Sequence, residues 1–329
     1  MTMTQNQVGE DFPRLADPFR RELLAHCYRM LGSVHDAEDL VQETYLRAWR
    51  AYDKFEGRSS MRTWLHRIAT NTCLDALESR GRRPLPTGLG APSADPSDDL
   101  VEQHEVPWLE PVPDAMVGAD GADPAAIVTS RESIRLAFVA ALQHLPPRQR
   151  AVLLMRDVLR WKAAEVAELL DTTTASVNSA LQRARAQIEK VAPSEEAATA
   201  PLTEEQRALL DRYVAAFEVK DMDAIVQLFT EEAVWEMPPF TGWYRGPQDI
   251  GTLIATRCPA GPGELALIRT TMNGQPAFGM YMKDEDGVFR PFNLMVLSLR
   301  GARVSHVVAF FETRLFKEFG LPETAPPPA

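Results

Sequence analysis

Between Thr172 and Val191 the sequence TTTASVNSALQRARAQIEKV carries six side chains suited to hydrogen bonding with nucleic acid: Ser176, Asn178, Ser179, Gln182, Arg183 and Arg185. Hydroxyl, amide and guanidinium groups on one helix can reach base edges and phosphates when that helix lies in a major groove. Val177, Leu181, Ala184, Ile188 and Val191 recur on the other side and supply the stripe that fixes such a helix to its domain. Upstream, Pro147 suits a first helical turn, and Ala164, Val166, Ala167, Leu169 and Leu170 form the apolar part of a second helix. Asp171 and Thr172 to Thr174 offer a turn and N-cap oxygens. Helix, helix, tight turn and basic-edged helix is the order of a helix-turn-helix. An amphipathic hairpin with a solvated outer face shares this local pattern.

A second set of residues lies nearer the N-terminus. The stretch DAEDLVQETYLRAW predicts a helix over 36–50, with Ala37, Leu40, Tyr45, Ala48 and Trp49 on or beside its buried side. Asp39, Gln42 and Glu43 fall on its polar parts. The FEGRSS loop and a helix over 62–76 follow, bringing Arg58, Arg62, Arg67 and Arg80 together with the planar groups Phe55, Trp64 and His66. Positive charge beside planar surfaces is what single-strand capture requires, and Asn71 adds a group able to bond a base edge or phosphate. Trp64 reads as core, sharing a stripe with Leu65, Ile68, Thr72 and Leu74.

Taken with LPPRQRAVLLMRDV and SVNSALQRARAQI, these segments resemble, in order and spacing, the bacterial RNA polymerase sigma factors of the extracytoplasmic-function group. The resemblance implies two all-α domains. In the first, over 1–83, Asp39, Gln42 and Glu43 would grip the clamp helices of core polymerase, and Phe55, Arg58, Arg62, Arg67 and Asn71 would capture non-template bases at the minus-ten element. In the second, over 130–192, residues 174–191 would read minus-thirty-five DNA.

Composition fits a cytoplasmic, multidomain protein. The chain has 329 residues, 45% hydrophobic and 25% charged, which suggests two to three compact units of ordinary globular composition. Cys27, Cys73 and Cys258 show neither disulfide nor zinc spacing, so no metal or cofactor is expected. No apolar run approaches the roughly 20 residues that span a bilayer, and the N-terminus lacks a signal-peptide pattern. The net charge of −11 restricts DNA binding to local basic patches and makes the free chain's affinity weak and salt-sensitive. A subunit positioned by a larger partner suits that better than an autonomous repressor.

Much of the acid sits between Arg83 and Arg131, an interval without Lys or Arg and rich in proline and glycine. Residues 84–129 therefore read as an extended connector. In the family the corresponding connector threads the polymerase interior. Within it VPWLEPVPD is apolar and stiff, making Trp108, Leu109 and Pro111 candidate docking residues.

A linker over 193–202 leads to a third domain at 203–320, with 321–329 read as a flexible tail. Thr203 with Gln206 predicts a capping box. Asp221 or Asp223 opens a second helix, and strand-like runs follow, broken by Asn-Gly, Asp-Gly and Arg-Gly turns. Two helices before an antiparallel meander indicate α+β. The order, with WEMPP, GWYRG and VSHVVAFFE, resembles the SnoaL-like cone folds, in which a curved sheet wraps a helix and leaves a pocket. Trp235, Met237, Phe240, Trp243, Tyr244, Asn273 and His306 are the candidate regulatory pocket, with Met280 and Phe292 as further candidates to line it. Strand alternation directs Glu236 away from Trp235 and Met237 and aligns His306 with Val308 and Phe310, and no Asp pairs with His306 by sequence. The whole reads as a non-enzymatic sigma factor that binds core polymerase and promoter DNA, with no membrane association. Its third domain would act in cis, responding to a small ligand or protein regulator. A ligand-sensing autonomous regulator and a SnoaL-like enzyme fused to a DNA-binding region are the alternatives.

Overall fold

The structure, a computed structural model, describes residues 12–79, 81–93, 95–117, 132–191 and 202–328. They fall into two units: residues 1–83 with 114–193, and residues 84–113 with 194–329. Arg80, the connector segment 118–131 and residues 192–201 lie outside the described residues.

In the first unit α1 (Arg20–Leu31) is buried from Leu23 to Leu31. Ser33 caps α2 (Val34–Ala51) by accepting the Asp36 N–H, and Ser60 caps α3 (Met61–Leu77) through the Thr63 N–H. The buried stripe of α2 is Val34, Ala37, Val41, Thr44 and Ala48. That 3–4 spacing excludes Trp49, one residue and about 100° farther round the helix, and Trp49 is 50% exposed instead of sitting on the buried side. The α3 stripe also differs from expectation: Leu65, His66, Ala69, Thr70, Thr72 and Cys73 are buried. Trp64 is half-buried, in an aromatic cluster with Phe55 at 4.7 Å and Tyr52 at 6.5 Å.

Further helices among the described residues of the unit are α4 (Leu136–Leu142), α5 (Pro147–Leu153, continued by a π-helical turn at Leu154–Val158), α6 (Ala163–Leu169) and α7 (Thr174–Val191). Pro147 opens α5, and Thr173 accepts the Ser176 N–H at 3.1 Å to cap α7. Val177, Leu181 and Ala184 are its buried residues. Arg150 is 3% exposed and ties this half to the first. It donates to the Met30 carbonyl of α1, to Gln143 Oε1 at 2.8 Å and to the Leu145 carbonyl at 3.2 Å.

The second unit is α+β. Thr203 and Gln206 form the expected reciprocal cap on α8 (Glu204–Glu218), and Asp221 caps α9 (Met222–Gln227). A six-stranded sheet follows: β1 (Phe229–Glu236), β2 (Trp243–Arg245), β3 (Leu265–Met272), β4 (Gln275–Lys283), β5 (Phe289–Arg300) and β6 (Arg303–Phe310), in the order β2-β1-β6-β5-β4-β3. The strands β3 to β6 are the antiparallel meander, whereas β1 joins β6 in parallel. Asn273 and Gly274 both take positive φ, which a two-residue type I′ hairpin demands. Tyr213 and Phe217 of α8 stack on Phe278 and Trp235, at 5.4 and 6.2 Å, to seat the helix on the sheet. Helix α10 (Pro247–Arg257) closes one side.

Two segments depart from expectation. Residues 84–113 are not an extended connector but part of the second unit. Its proline-rich backbone finds partners on the cone: Glu102 bridges Phe240, Pro113 bridges Met272, and Trp243 donates its indole N–H to the Gly90 carbonyl at 2.9 Å. A chain that cannot bury apolar surface alone is stabilised by a preformed sheet edge. The expected flexible tail is likewise docked over residues 321–328. Leu321 packs where Gly279 lacks a side chain, Tyr281 donates to the Pro322 carbonyl at 2.8 Å, and Ala325 bridges Phe289.

Candidate nucleic-acid interface

Helix α7 presents Ser176, Asn178, Ser179, Gln182, Arg183 and Arg185 as an exposed face opposite its buried stripe. Arg185 grips Asp157 in a fork at 2.7 and 2.9 Å, a pairing that raises its guanidinium pKa further.

The minus-ten candidates are spread over a loop and α3. Arg58 and Asn71 are exposed, and Phe55 is half-buried against Trp64. Arg62 clasps the Glu22 carboxylate through Nε at 2.9 Å. Arg67 donates to Glu168 of α6 at 2.7 Å. His66 is not an available planar group, because it is 1% exposed and stacks edge-on against His26 at 5.2 Å. The long α3 turns it inward beside Ala69 and Thr70.

This polar knot has a pH signature. Burial pushes Glu22 up, but hydrogen bonds and charge from His66 and Arg62 prevail and hold it at about 2. Burial pulls both His26 and His66 below the ordinary 6.5. Folded pKa values below unfolded ones mean that the unfolded chain takes up protons first. The Glu22 contribution, on the order of 3 kcal/mol, is therefore complete above about pH 4.5 and lost as pH falls toward 2. The histidine contribution declines already below about pH 6.5. The helical unit is expected to melt at a steadily lower temperature from pH 7 to pH 5, with a shallower slope in a His26→Gln, His66→Gln double variant. Calorimetry across that range checks it.

The core-polymerase candidates sit on α2: Asp39 and Gln42 are exposed, while Glu43 is half-buried and accepts from Arg47 at 2.7 Å. Sequence periodicity missed their apolar neighbours. Leu46 and Trp49, 49% and 50% exposed, continue the same face at helical spacing from Gln42.

In the cone unit, Trp235, Met237 and Phe240 line one cavity, with Met280 and Phe292. The other four pocket candidates lie elsewhere. Tyr244 is in the core, and Trp243 reaches Gly90. Asn273 exchanges hydrogen bonds with Val112, giving its N–H to the Val112 carbonyl and accepting the Val112 N–H at Oδ1, both at 2.9 Å. His306 faces away from the cavity because Val307 and Ala309 are the inward residues of β6. There it pairs with a Glu and not an Asp: Glu236, Nε2 to Oε1 at 2.7 Å. Glu236 is fully buried, and its other oxygen accepts the Thr87 N–H of the docked segment at 2.7 Å. Of the expected docking residues, Leu109 and Pro111 are buried, and Trp108 turns its indole N–H back to the Gln103 carbonyl.

Among the described residues no group of His, Cys, Asp and Glu could hold a metal ion, and no helix is long and apolar enough to cross a membrane.

A helix-turn-helix beside a second helical domain, with a pocketed α+β unit, defines a DNA-binding regulator. Family comparison makes that specific: residues 15–83 match Sigma-70 region 2, residues 135–188 match Sigma-70 region 4, and residues 210–313 match the SnoaL-like domain. The extracytoplasmic-function (ECF) RNA polymerase sigma factor SigG of Mycobacterium tuberculosis is 64% identical over 316 residues, 95% of this chain and 85% of the relative. SigJ of the same species, also an ECF sigma factor, is 30% identical over 241 residues, 71% of this chain and 69% of the relative. The crystal structure of M. tuberculosis SigJ shares the fold, with a TM-score of 0.61 at 23% identity over 96% of this chain and 99% of that one. The chain belongs to the extracytoplasmic-function sigma factors, which direct promoter-specific transcription initiation by RNA polymerase.

Proposed function

We propose that this sigma factor reads minus-thirty-five DNA with the exposed face of α7, opens minus-ten DNA with the Phe55–Asn71 region, meets core polymerase through α2, and is regulated in cis by its cone unit. The observation behind the cis regulation is the placement of residues 84–113. They are held along the cone by the Glu102–Phe240 and Pro113–Met272 bridges, the Asn273–Val112 pair and the Glu236–Thr87 contact. In this family the connector threads the polymerase interior, and a connector bound to the cone is not available for that path.

A second observation favours a resting arrangement. The two promoter elements are separated by about 25 base pairs, roughly 85 Å at 3.4 Å per step, whereas a unit of about 150 residues has a radius of gyration near ~15 Å. The Arg67–Glu168 and Arg150–Met30 contacts must therefore part when both elements are bound. Catalysis in the cone is not part of this reading: the His306–Glu236 pair lies on the face opposite the cavity and is engaged by Thr87.

Transcription from a promoter library by purified core polymerase, with the full chain and with residues 1–201, tests the proposal. Promoter-specific transcripts that differ in amount between the two forms are expected. Equal output under every condition would end the cis-regulatory reading. Tight DNA binding without polymerase, and no transcripts, would favour an autonomous regulator.

A further inference from the structure

The cone encloses a cavity of about 340 Å³, at the small end of the ~300–1,000 Å³ range of small-molecule sites. Its wall is largely hydrocarbon and thioether, and one of its polar groups is placed there by an irregularity of the sheet. The pairing of β4 with β5 slips so that Met280 opposes Asn293 while Tyr281 opposes Pro291. Phe292 is the extra residue, and consecutive Phe292 and Asn293 both line the cavity. A regular strand would send them to opposite faces, so the bulge is what delivers a carboxamide to this wall.

That carboxamide is poorly satisfied by the protein. Asn293 is 4% exposed. Its Nδ2 reaches Met280 Sδ at 3.6 Å, a weak acceptor, and its Oδ1 has no partner among the described residues. Turning the amide over would exchange the two atoms and still leave one unpaired. The indole Nε1 of Trp235, on a side chain 5% exposed, is unpaired as well. The charged groups at the cavity have partners at their terminal atoms, although the buried Nε of Arg257 has none among the described residues. Arg257 donates to Asp99 at 2.9 Å and to the Ser97 carbonyl, and Glu102 pairs with His104 at 2.7 Å. The site therefore selects a neutral occupant with a hydrogen-bonding group.

Part of the wall comes from the docked segment, since Leu100 and Glu102 line the cavity. The backbone around them is tied to the strand connection opposite: Gln103 N–H to the Pro239 carbonyl and Thr241 N–H to the Val101 carbonyl, both at 3.0 Å. We propose that this cavity binds a small neutral molecule, largely apolar and bearing a hydroxyl or carbonyl group for Asn293, and that residues 99–103 close over it. A molecule touching Leu100 and Glu102 binds the docked state better than the released one and so shifts that equilibrium. The consequence for transcription rests on the cis-regulatory reading above; the binding itself does not.

The test uses the full chain with two probes, 1-naphthol and naphthalene, the second being the same rings without the hydroxyl. One 1-naphthol is expected to bind per chain, about tenfold more tightly than naphthalene by calorimetric titration. Asn293→Leu removes an unsatisfied group, so it should erase that preference without lowering the melting temperature of the unliganded protein. Hydrogen exchange at the Gln103 and Thr241 amides should slow when 1-naphthol is bound. Absence of saturable binding by either probe overturns the ligand site, even where the full chain and residues 1–201 still differ in transcription. A preference for 1-naphthol that survives Asn293→Leu overturns the assignment to Asn293. Binding that leaves exchange at Gln103 and Thr241 unchanged overturns closure by the docked segment.

Discussion

Asn273→Ala is expected to loosen the docked connector by on the order of a hundredfold while leaving the helical unit untouched. Two effects act together. Asn273 sits at φ +54°, where asparagine is tolerated and alanine is strained by about 1 kcal/mol. Its Oδ1 is also the acceptor for the Val112 N–H, and Val112 is fully buried. Stranding that donor costs about 1–3 kcal/mol. Together they approach ~3 kcal/mol, and 1.4 kcal/mol is a factor of ten. Asn273→Gly relieves the strain but not the lost acceptor, and Asn273→Asp keeps an acceptor in the same turn, so the series apportions the two effects.

Hydrogen exchange at the Val112 amide gives the direct measure, rising most in Asn273→Ala and least in Asn273→Asp. Transcription gives the functional one: Asn273→Ala in the full chain should move promoter output toward that of residues 1–201. Faster exchange with unchanged output would separate docking from regulation.

How far the sequence disclosed this arrangement depended on whether each signal was local. The cap of α8 by Thr203 and Gln206, the Asn273–Gly274 hairpin and the stripe of α7 are all decided within a few residues, and each was legible. Trp49 was placed beside the buried side because it adjoins Ala48 in the periodic pattern, although the 3–4 spacing of Ala37, Val41, Thr44 and Ala48 leaves it out. Residues 84–113 were unreadable for another reason. Their composition could not fold alone, and nothing local reveals that a sheet 150 residues away supplies partners for Thr87 and Val112. His306 and Glu236 were hidden by the parallel pairing of β1 with β6, which sets Val234 opposite His306. Phe292 and Asn293 reach one cavity only through a bulge that alternation cannot foresee.

Arg150→Met should lower the melting temperature of the helical unit while raising initiation per folded molecule. The stability effect is a contest between two terms. Burial pulls the Arg150 guanidinium down to about 10, a penalty on the order of 3 kcal/mol that methionine would remove. Against it stand three hydrogen bonds from a charged donor, to Met30, Gln143 and Leu145, each contributing roughly 1.5–3 kcal/mol. The bonds prevail by about 1.5–6 kcal/mol, or on the order of 3–24 °C in a unit of this size. Arg150→Lys retains the charge and three donors but on a single nitrogen, without the planar fork that spans these acceptors, so its loss should be smaller than that of methionine. The functional effect has the opposite sign because the Met30 bond joins halves that separate on a promoter. Weakening it moves the resting arrangement toward the bound one, at temperatures where the variant remains folded. Calorimetry fixes the first quantity, and initiation assays normalised to folded protein fix the second. If initiation instead fell in step with the folded fraction, Arg150 would be a structural residue of the second helical half, and the resting arrangement would impose no restraint on promoter binding.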